Sequence, residues 1–412
     1  MKRKINFKGF IDTTLREGQA SPLMFDTRKY FFSPEEKKKI IEALIRLGLS
    51  HFEFYSPVVG KKEREDFLAI KEYVRKMSPK KVVLIAHCRC HPDDINQAVK
   101  AGFGGLNLYM GLSAEAEKNY GKSFLETLKL IKDLVVSTRK KYPYLWLRYS
   151  GEDAFRTPLK RIFRVYDEIA PYVDTFGTPD TTGIATPDLV KKRIRSLKKR
   201  YPKNNLECHF HNDSGYALIN TITAIENGAE YIDSTIWGMG ERSGISSITG
   251  TLLNLYYLDS NLTKNYNLDL CYPVNVLMGS ILKMQVPYNE PVSLTNRTHI
   301  AGVHQKAVLN VKKSYEAYSL EKFGVTKKQL LLGPLTGWNF IYYYLKEMCD
   351  FIISPEEAKK ITSEFKERVE EIRENQIKPE ELLDQIAEKY SLAKIDIPRE
   401  HKERRIENLN GN

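Results

Sequence analysis

From the first residues to about residue 260, short runs rich in β-branched and aromatic residues alternate with longer stretches whose apolar positions recur every three to four residues. The short runs predict strands over residues 9–12, 51–55, 82–86, 105–109, 145–149, 173–176, 206–211 and 231–235. A helix signal follows each. Ser33-Pro34-Glu35-Glu36 is a capping box with proline at the first helical position, where the missing N–H has no partner to lose. Gly48 marks the end of that helix, and Thr186-Pro187-Asp188 opens another. Eight strand–helix units predict an α/β fold, a (β/α)8 TIM barrel. A doubly wound open sheet is the competing arrangement, but it usually carries a glycine-rich fingerprint after its first strand. Here the first strand runs into Leu15-Arg16-Glu17.

The pattern changes beyond residue 260. The reading is a catalytic barrel over residues 1–265 and a loop-rich linker subdomain over 266–325 that carries His304 and Tyr315. A helical C-terminal subdomain over 326–397 follows, with a second capping box at Ser354-Pro355-Glu356-Glu357, and then a charged, fraying tail over 398–412.

A barrel predicts that function collects at the C-terminal ends of its strands. Those ends read Arg16-Glu17, Tyr55-Ser56, His87, Asn107, Arg148-Tyr149-Ser150-Gly151-Glu152, Pro179-Asp180-Thr181, His209-Phe210-His211-Asn212-Asp213 and Gly240-Glu241-Arg242. Glu17, His209 and His211 form a common ligand set for a divalent metal. His209 and His211 are two apart on a strand and share a face. Taken alone they are open to two readings, metal ligands or a buried hydrogen-bonded pair. Arg16 is a fixed positive charge able to stabilise an oxyanion, and Asn212 and Asp213 are candidates to orient the ligands. Arg148, Ser150 and Glu152 again share one face: the first two suit a substrate carboxylate, and Glu152 suits proton exchange. An Arg–Glu ion pair is the plainer alternative. Gly238-Met239-Gly240-Glu241-Arg242-Ser243-Gly244 is either a phosphate-binding loop or a tight turn closing the barrel.

Composition narrows the classes. Hydrophobic residues at 42% and charged residues at 28% of 412 fit a folded globular protein. The net charge of +12 comes from lysines and arginines mixed with Glu on helix surfaces, with no recognition motif, so nucleic-acid binding is not expected. A positive field favours anionic substrates. No apolar run is long enough to cross a bilayer. Five scattered cysteines, including Cys88 and Cys90 at a strand end, argue against a disulfide framework and for a reducing, cytoplasmic location.

Together, Asp12-Thr13-Thr14-Leu15-Arg16-Glu17-Gly18, Ser56-Pro57, Arg148 to Asp153, Asp180-Thr181-Thr182-Gly183, His209 to Asp213, Gly240 to Ile245, His299 to His304 and Ser314-Tyr315-Glu316 resemble the homocitrate synthase/2-isopropylmalate synthase family. These are metal-dependent acyl-CoA condensing enzymes whose barrel begins with an Asp-Arg-Glu motif, and the likeness is greatest to the homocitrate synthase branch. The resemblance implies that Glu17, His209 and His211 hold Mg²⁺, Mn²⁺ or Zn²⁺, and that Arg16 stabilises the oxyanion formed on a 2-oxoacid. It implies that Arg148, Ser150 and Thr181 bind the oxoacid while His87 faces its far end. Glu152, His304 and Tyr315 are then the proton-transfer candidates for a Claisen-type condensation with acetyl-CoA. It also implies a homodimer in which the segment bearing His304 and Tyr315 enters the partner's barrel. The chain departs from the family pattern at Gln19-Ala20, at an insertion through Leu23 to Tyr30, at Asn107 in place of an acid, and at His91 in place of an arginine. The same chemistry on another oxoacid (2-isopropylmalate, citramalate or Re-type citrate synthesis) and a 3-hydroxyacyl-CoA lyase are the alternatives.

Overall fold

The computed structural model describes residues 5–77, 82–311, 313–372 and 377–394. Eight parallel strands close into a barrel in chain order: β1 Gly9–Asp12, β2 His51–Tyr55, β3 Val83–Arg89, β4 Gly105–Gly111, β5 Trp146–Glu152, β6 Thr175–Asp180, β7 Asn205–Phe210 and β8 Tyr231–Ser234. All eight predicted strands are present. The ring closes because β1 pairs with both β2 and β8, placing Ile11 opposite His51 and Gly9 opposite Tyr231. β3, β5 and β6 run further toward their C-terminal ends than the hydrophobic pattern indicated. Their last residues are polar, yet the backbone ladder continues to the rim.

The local signals act as read. Ser33 and Glu36 form the reciprocal capping box of helix Pro34–Leu47, and Gly48 ends it at φ 122°. Thr186 caps Pro187–Arg200, and Ser354 with Glu357 caps Pro355–Glu371. On the outside of the strands Phe52, Phe54, Leu106, Leu108, Phe176, Leu206 and Ile232 are buried under the helices, each contributing about 1.5–3 kcal/mol of transfer free energy. Cys88, Cys90, Cys208 and Cys271 are buried free thiols, and burial pushes Cys90 up to about 12.

The barrel interior is layered. Its floor is aromatic: the rings of His51, Trp146 and Tyr231 lie edge-on or tilted to one another at 5.3–6.1 Å. Two residues further along each of those strands stand Glu53, Arg148 and Asp233, because alternate side chains share a face. The charged layer therefore sits one pleat above the aromatic one, toward the rim.

The chain forms two compact units, Met1–Pro291 and Val292–Asn412. The first runs past the expected boundary at 265, because helix Cys271–Leu282 packs against helix Pro34–Leu47. In the second, a two-stranded parallel pair joins Thr298–His299 to Gln329–Leu330. Helices Trp338–Tyr343, Pro355–Glu371 and Pro379–Lys389 enclose a core of Phe340, Ile341, Leu345, Ile361, Phe365 and Ile386. The expected tail at 398–412 lies outside the described residues. Among the described residues no helix is long and apolar enough to cross a membrane.

Candidate active site

The strand ends open into a cavity of about 210 Å³ lined by Arg16, Glu17, His87, Asn107, Tyr109, Ser150, Glu152, Thr181, Glu207, His209, His211, Asp233 and Glu241, with Pro179. Thr13 to Arg16 lead from β1 into a short 3-10 turn that Glu17 opens; His209 is on β7 and His211 just beyond its end. Segments two hundred residues apart in sequence thus meet, because β1 and β7 both flank β8.

The ligand atoms of Glu17, His209 and His211 lie within 4.8 Å of one another. His209 Nδ1 faces Asp233 Oδ2 at 3.3 Å. A carboxylate only accepts, so Nδ1 carries the proton and Nε2 keeps its lone pair. That Nε2 lies 3.2 Å from His211 Nε2. Two imidazole nitrogens and a carboxylate turned toward one point, with one imidazole oriented by an acid behind it, is a donor set that fits a divalent cation. The carboxyl groups of Glu17, Glu53, Glu207 and Asp233 stand around the guanidinia of Arg16 and Arg148, and burial together with the neighbouring Asp233 pushes the Glu207 carboxyl well above the usual carboxylate range.

Electrostatics prepare the ligands. Burial pulls the Glu17 carboxyl up, but Arg16, the two imidazoles and the Glu241 N–H outweigh it and hold it at about 2. Burial and the neighbouring His209 push His211 down to about 3 against the pull of Glu17. Both groups are therefore in their ligating forms at neutral pH. Arg16 is clamped between Glu17 at 2.5 Å and Glu53 at 2.9 Å.

The remaining candidates separate. Ser150 donates to Asn107 Oδ1 at 2.8 Å. Thr181 Oγ1 accepts from Asp153 N–H at 2.9 Å, and its own hydroxyl proton is left to the cavity. Glu152 accepts from Tyr120 at 2.7 Å. Arg148 stands below the cavity lining, 1% exposed, bonded to Glu53 and ion-paired with Asp233 at 2.9 Å and Glu207 at 3.2 Å. Its partners are these acids, not the Glu152 of the plainer ion-pair reading. In the second unit, His304 and Tyr315 stack ring on ring at 3.9 Å. Tyr315 adopts a positive φ of 59°, a costly backbone state for an aromatic residue.

The expected orienting role of Asn212 and Asp213 is corrected. Asp213 does not orient the histidines: its carboxylate is held by Arg242 at 2.8 Å, and Asn212 Oδ1 accepts from Ala217 N–H. Asp233 takes the orienting role, for which it is correctly placed beside His209. The glycine-rich segment is a tight turn. Gly238 and Gly244 have φ 66° and 81°, and a Cβ on either would approach a backbone oxygen to 2.3 or 2.2 Å. The turn presents the Glu241 N–H to Glu17 Oε1 at 3.0 Å. His91 caps helix Pro92–Ala101 by accepting from Asp93 N–H. Gln19 bonds Leu15 O and Phe32 N–H at 2.8 and 3.2 Å, closing the base of the insertion.

Sequence reasoning missed Glu53, Glu207 and Asp233. Each is an acid in an apolar strand, and Glu207 shares the face of His209. That pattern was the available signal, since an acid inside a buried strand needs a partner.

The comparisons with known proteins agree with this geometry. The HMGL-like family model matches residues 8–275, and a homocitrate synthase post-HMGL domain-like model matches residues 292–373. The mitochondrial homocitrate synthase of Schizosaccharomyces pombe is 32% identical over 88% of this chain and 84% of its own length. Homocitrate synthase AksA of Methanocaldococcus jannaschii is 30% identical over 88% and 90%. A 2-isopropylmalate synthase of Ruminiclostridium cellulolyticum is 28% identical over 86% and 70%. The barrel fold is shared with an HMG-CoA lyase of Bacillus subtilis (TM-score 0.57, 21% identity, 69% of this chain and 96% of that one). The chain belongs to the homocitrate synthase/2-isopropylmalate synthase family of HMGL-like barrel enzymes.

Proposed function

We propose that the chain condenses acetyl-CoA with a 2-oxoacid, 2-oxoglutarate foremost, to give homocitrate and free CoA. The observation that carries the reading is the pairing of the Glu17–His209–His211 cluster beside Arg16 with a second unit that matches the homocitrate synthase post-HMGL model and bears His304 and Tyr315. Glu17, His209 and His211 would hold a divalent cation (Mg²⁺, Mn²⁺ or Zn²⁺), which when bound would supply Lewis-acid polarisation of the oxoacid's keto group. Arg16, kept in place by two acids, stabilises the oxygen that gains charge during attack. Ser150, Thr181 and His87 bind the oxoacid, and Arg148 fixes the acids behind them. Glu152, His304 and Tyr315 move the proton lost from the acetyl methyl group and assist thioester hydrolysis, which releases CoA and makes the reaction irreversible.

The protein works as a homodimer in the cytoplasm, with the His304–Tyr315 segment completing the partner's site. Similarity to the homocitrate synthase cytosolic isozyme of Saccharomyces cerevisiae supports that location. The purified protein, supplied with acetyl-CoA and a panel of 2-oxoacids, should release thiol with 2-oxoglutarate at the highest kcat/KM. Preference for 2-oxoisovalerate, pyruvate or oxaloacetate would reassign the substrate, and cleavage of a 3-hydroxyacyl-CoA without an oxoacid would replace the reading with a lyase. Mixing inactive Arg16→Ala and His304→Ala proteins should restore activity if sites are shared between subunits; mixtures that stay inactive after subunit exchange would refute the sharing.

A further inference from the structure

Glu152 ends β5 and lines the cavity, half-buried. Proton exchange asks two things of such a carboxylate: one oxygen left open to the proton, and a fixed direction for it. The strand alone supplies neither. A glutamate side chain is rich in rotamers, and holding one of them costs entropy that a contact has to offset.

The contact comes from the loop after β4. Tyr120 Oη lies 2.7 Å from Glu152 Oε2. Among the described residues this hydroxyl is the one group that donates to Glu152. The arginines on the segments that follow β5 are committed elsewhere, Arg156 to Asp153 at 2.8 Å and Arg161 to Glu117. Oε1 therefore keeps its lone pairs for the cavity. Burial and the bond to Glu152 push the Tyr120 phenol well above its usual range. It holds its proton at neutral pH and serves the carboxylate as a donor.

Tyr120 is itself set by its backbone. It is the last residue of helix Ala114–Tyr120. Ser113 caps that helix by accepting from Ala116 N–H at 3.2 Å. Arg161, on helix Leu159–Ile169, bonds Glu117 inside it and Leu112 O ahead of it, the latter at 3.2 Å. The helix lies close on the end of β4 because Gly111, opposite Glu152 in the ladder, has no side chain: a Cβ there would meet Ala116 Cβ at 2.7 Å. A stiff aromatic donor on an anchored helix thus fixes one oxygen of a flexible carboxylate.

We propose that Tyr120 is a positioning residue for proton transfer, pinning Glu152 by Oε2 and leaving Oε1 to accept the proton that the acetyl group loses. The C–H bond of the acetyl methyl breaks, its proton goes to Oε1, and its electron pair stays on carbon to form the bond to the keto carbon. The proposal rests on the proposed function for the role of Glu152.

The test compares full-length wild type, Tyr120→Phe, Glu152→Gln and the double variant in steady-state kinetics with acetyl-CoA and the preferred 2-oxoacid. Tyr120→Phe should lower kcat about tenfold with both KM values within about threefold, because a hydrogen bond to a charged group is lost without loss of a substrate contact. Glu152→Gln should lower kcat about 10²–10⁴-fold. The double variant should then match Glu152→Gln within about threefold, since Tyr120 acts only through that carboxylate. A merely structural role would cost the same factor in both backgrounds, and that result, or an unchanged kcat in Tyr120→Phe, would overturn the positioning. A fully active Glu152→Gln would refute the role of Glu152 in the proposed function and the positioning with it. A wild type inactive with every oxoacid would refute the condensation itself. Exchange of the acetyl-CoA methyl protons with D₂O, followed by NMR in wild type and Tyr120→Phe, then decides: slower exchange in the variant supports the positioning, and equal exchange, or none in either, overturns it.

Discussion

Asp233 holds His209 from behind: its Oδ2 lies 3.3 Å from the imidazole Nδ1, and its Oδ1 lies 2.9 Å from Arg148 Nη1. One acid therefore sets the tautomer of a metal-ligand candidate and neutralises a buried guanidinium.

Replacing Asp233 with Asn should weaken divalent-metal binding about 10–100-fold, because the amide neither enforces the Nδ1–H tautomer nor raises the basicity of Nε2. Calorimetric titration of Mn²⁺ or Zn²⁺ into chelator-stripped protein reads this directly. An unchanged affinity would show that His209 is oriented by packing alone.

Arg16→Ala should lower kcat about 10²–10³-fold while the bound metal stays near wild-type stoichiometry, since only the group facing the developing charge is removed. His209→Ala should lose metal. Metal analysis of the two purified variants separates the roles; full activity in Arg16→Ala would remove the proposed mechanism.

Glu53 is fully buried between Arg148, Arg16 and His87, and these outweigh the upward pull of burial to hold its carboxyl well below 4.5. The folded state thus keeps Glu53 ionised at pH values where the unfolded chain protonates it. Its stabilisation is complete above the ordinary carboxylate value and drains away as pH falls from about 4.5 toward the folded value. Glu53→Gln should cost about 3–5 kcal/mol at pH 7, because two guanidinia lose their shared counter-charge. The loss should shrink as pH drops below about 4.5. Urea unfolding at a series of pH values would show it, and a pH-independent penalty would contradict the argument.

Gln19→Ala should free the base of the Leu23–Tyr30 insertion, leaving the Phe32 N–H without its acceptor at a cost of about 1–3 kcal/mol. Limited trypsin digestion should then cut faster at the exposed Arg28, while Lys29 is half-buried and paired with Glu36. Equal digestion rates would mean that buried Met24 and Phe32 anchor the insertion without Gln19.

The order of strands and helices was legible in the chain, because buried strands and amphipathic helices leave periodic patterns and capping residues act over three or four positions. Ser33, Gly48 and Ser354 did locally what their types dictate. The pairing of Glu17 with His209 and His211 could be anticipated too, since ligand chemistry restricts the residue types. What only the closed barrel decided is which charge meets which. Asp233 rather than Asp213 stands behind His209, Arg148 is committed to three acids, and Asn107 joins Glu53, His87 and Ser150. These partners lie on strands and are separated by 20 to 95 residues in the chain. Their distances follow from the register and curvature of the ring, and neither quantity is written in any local stretch of sequence.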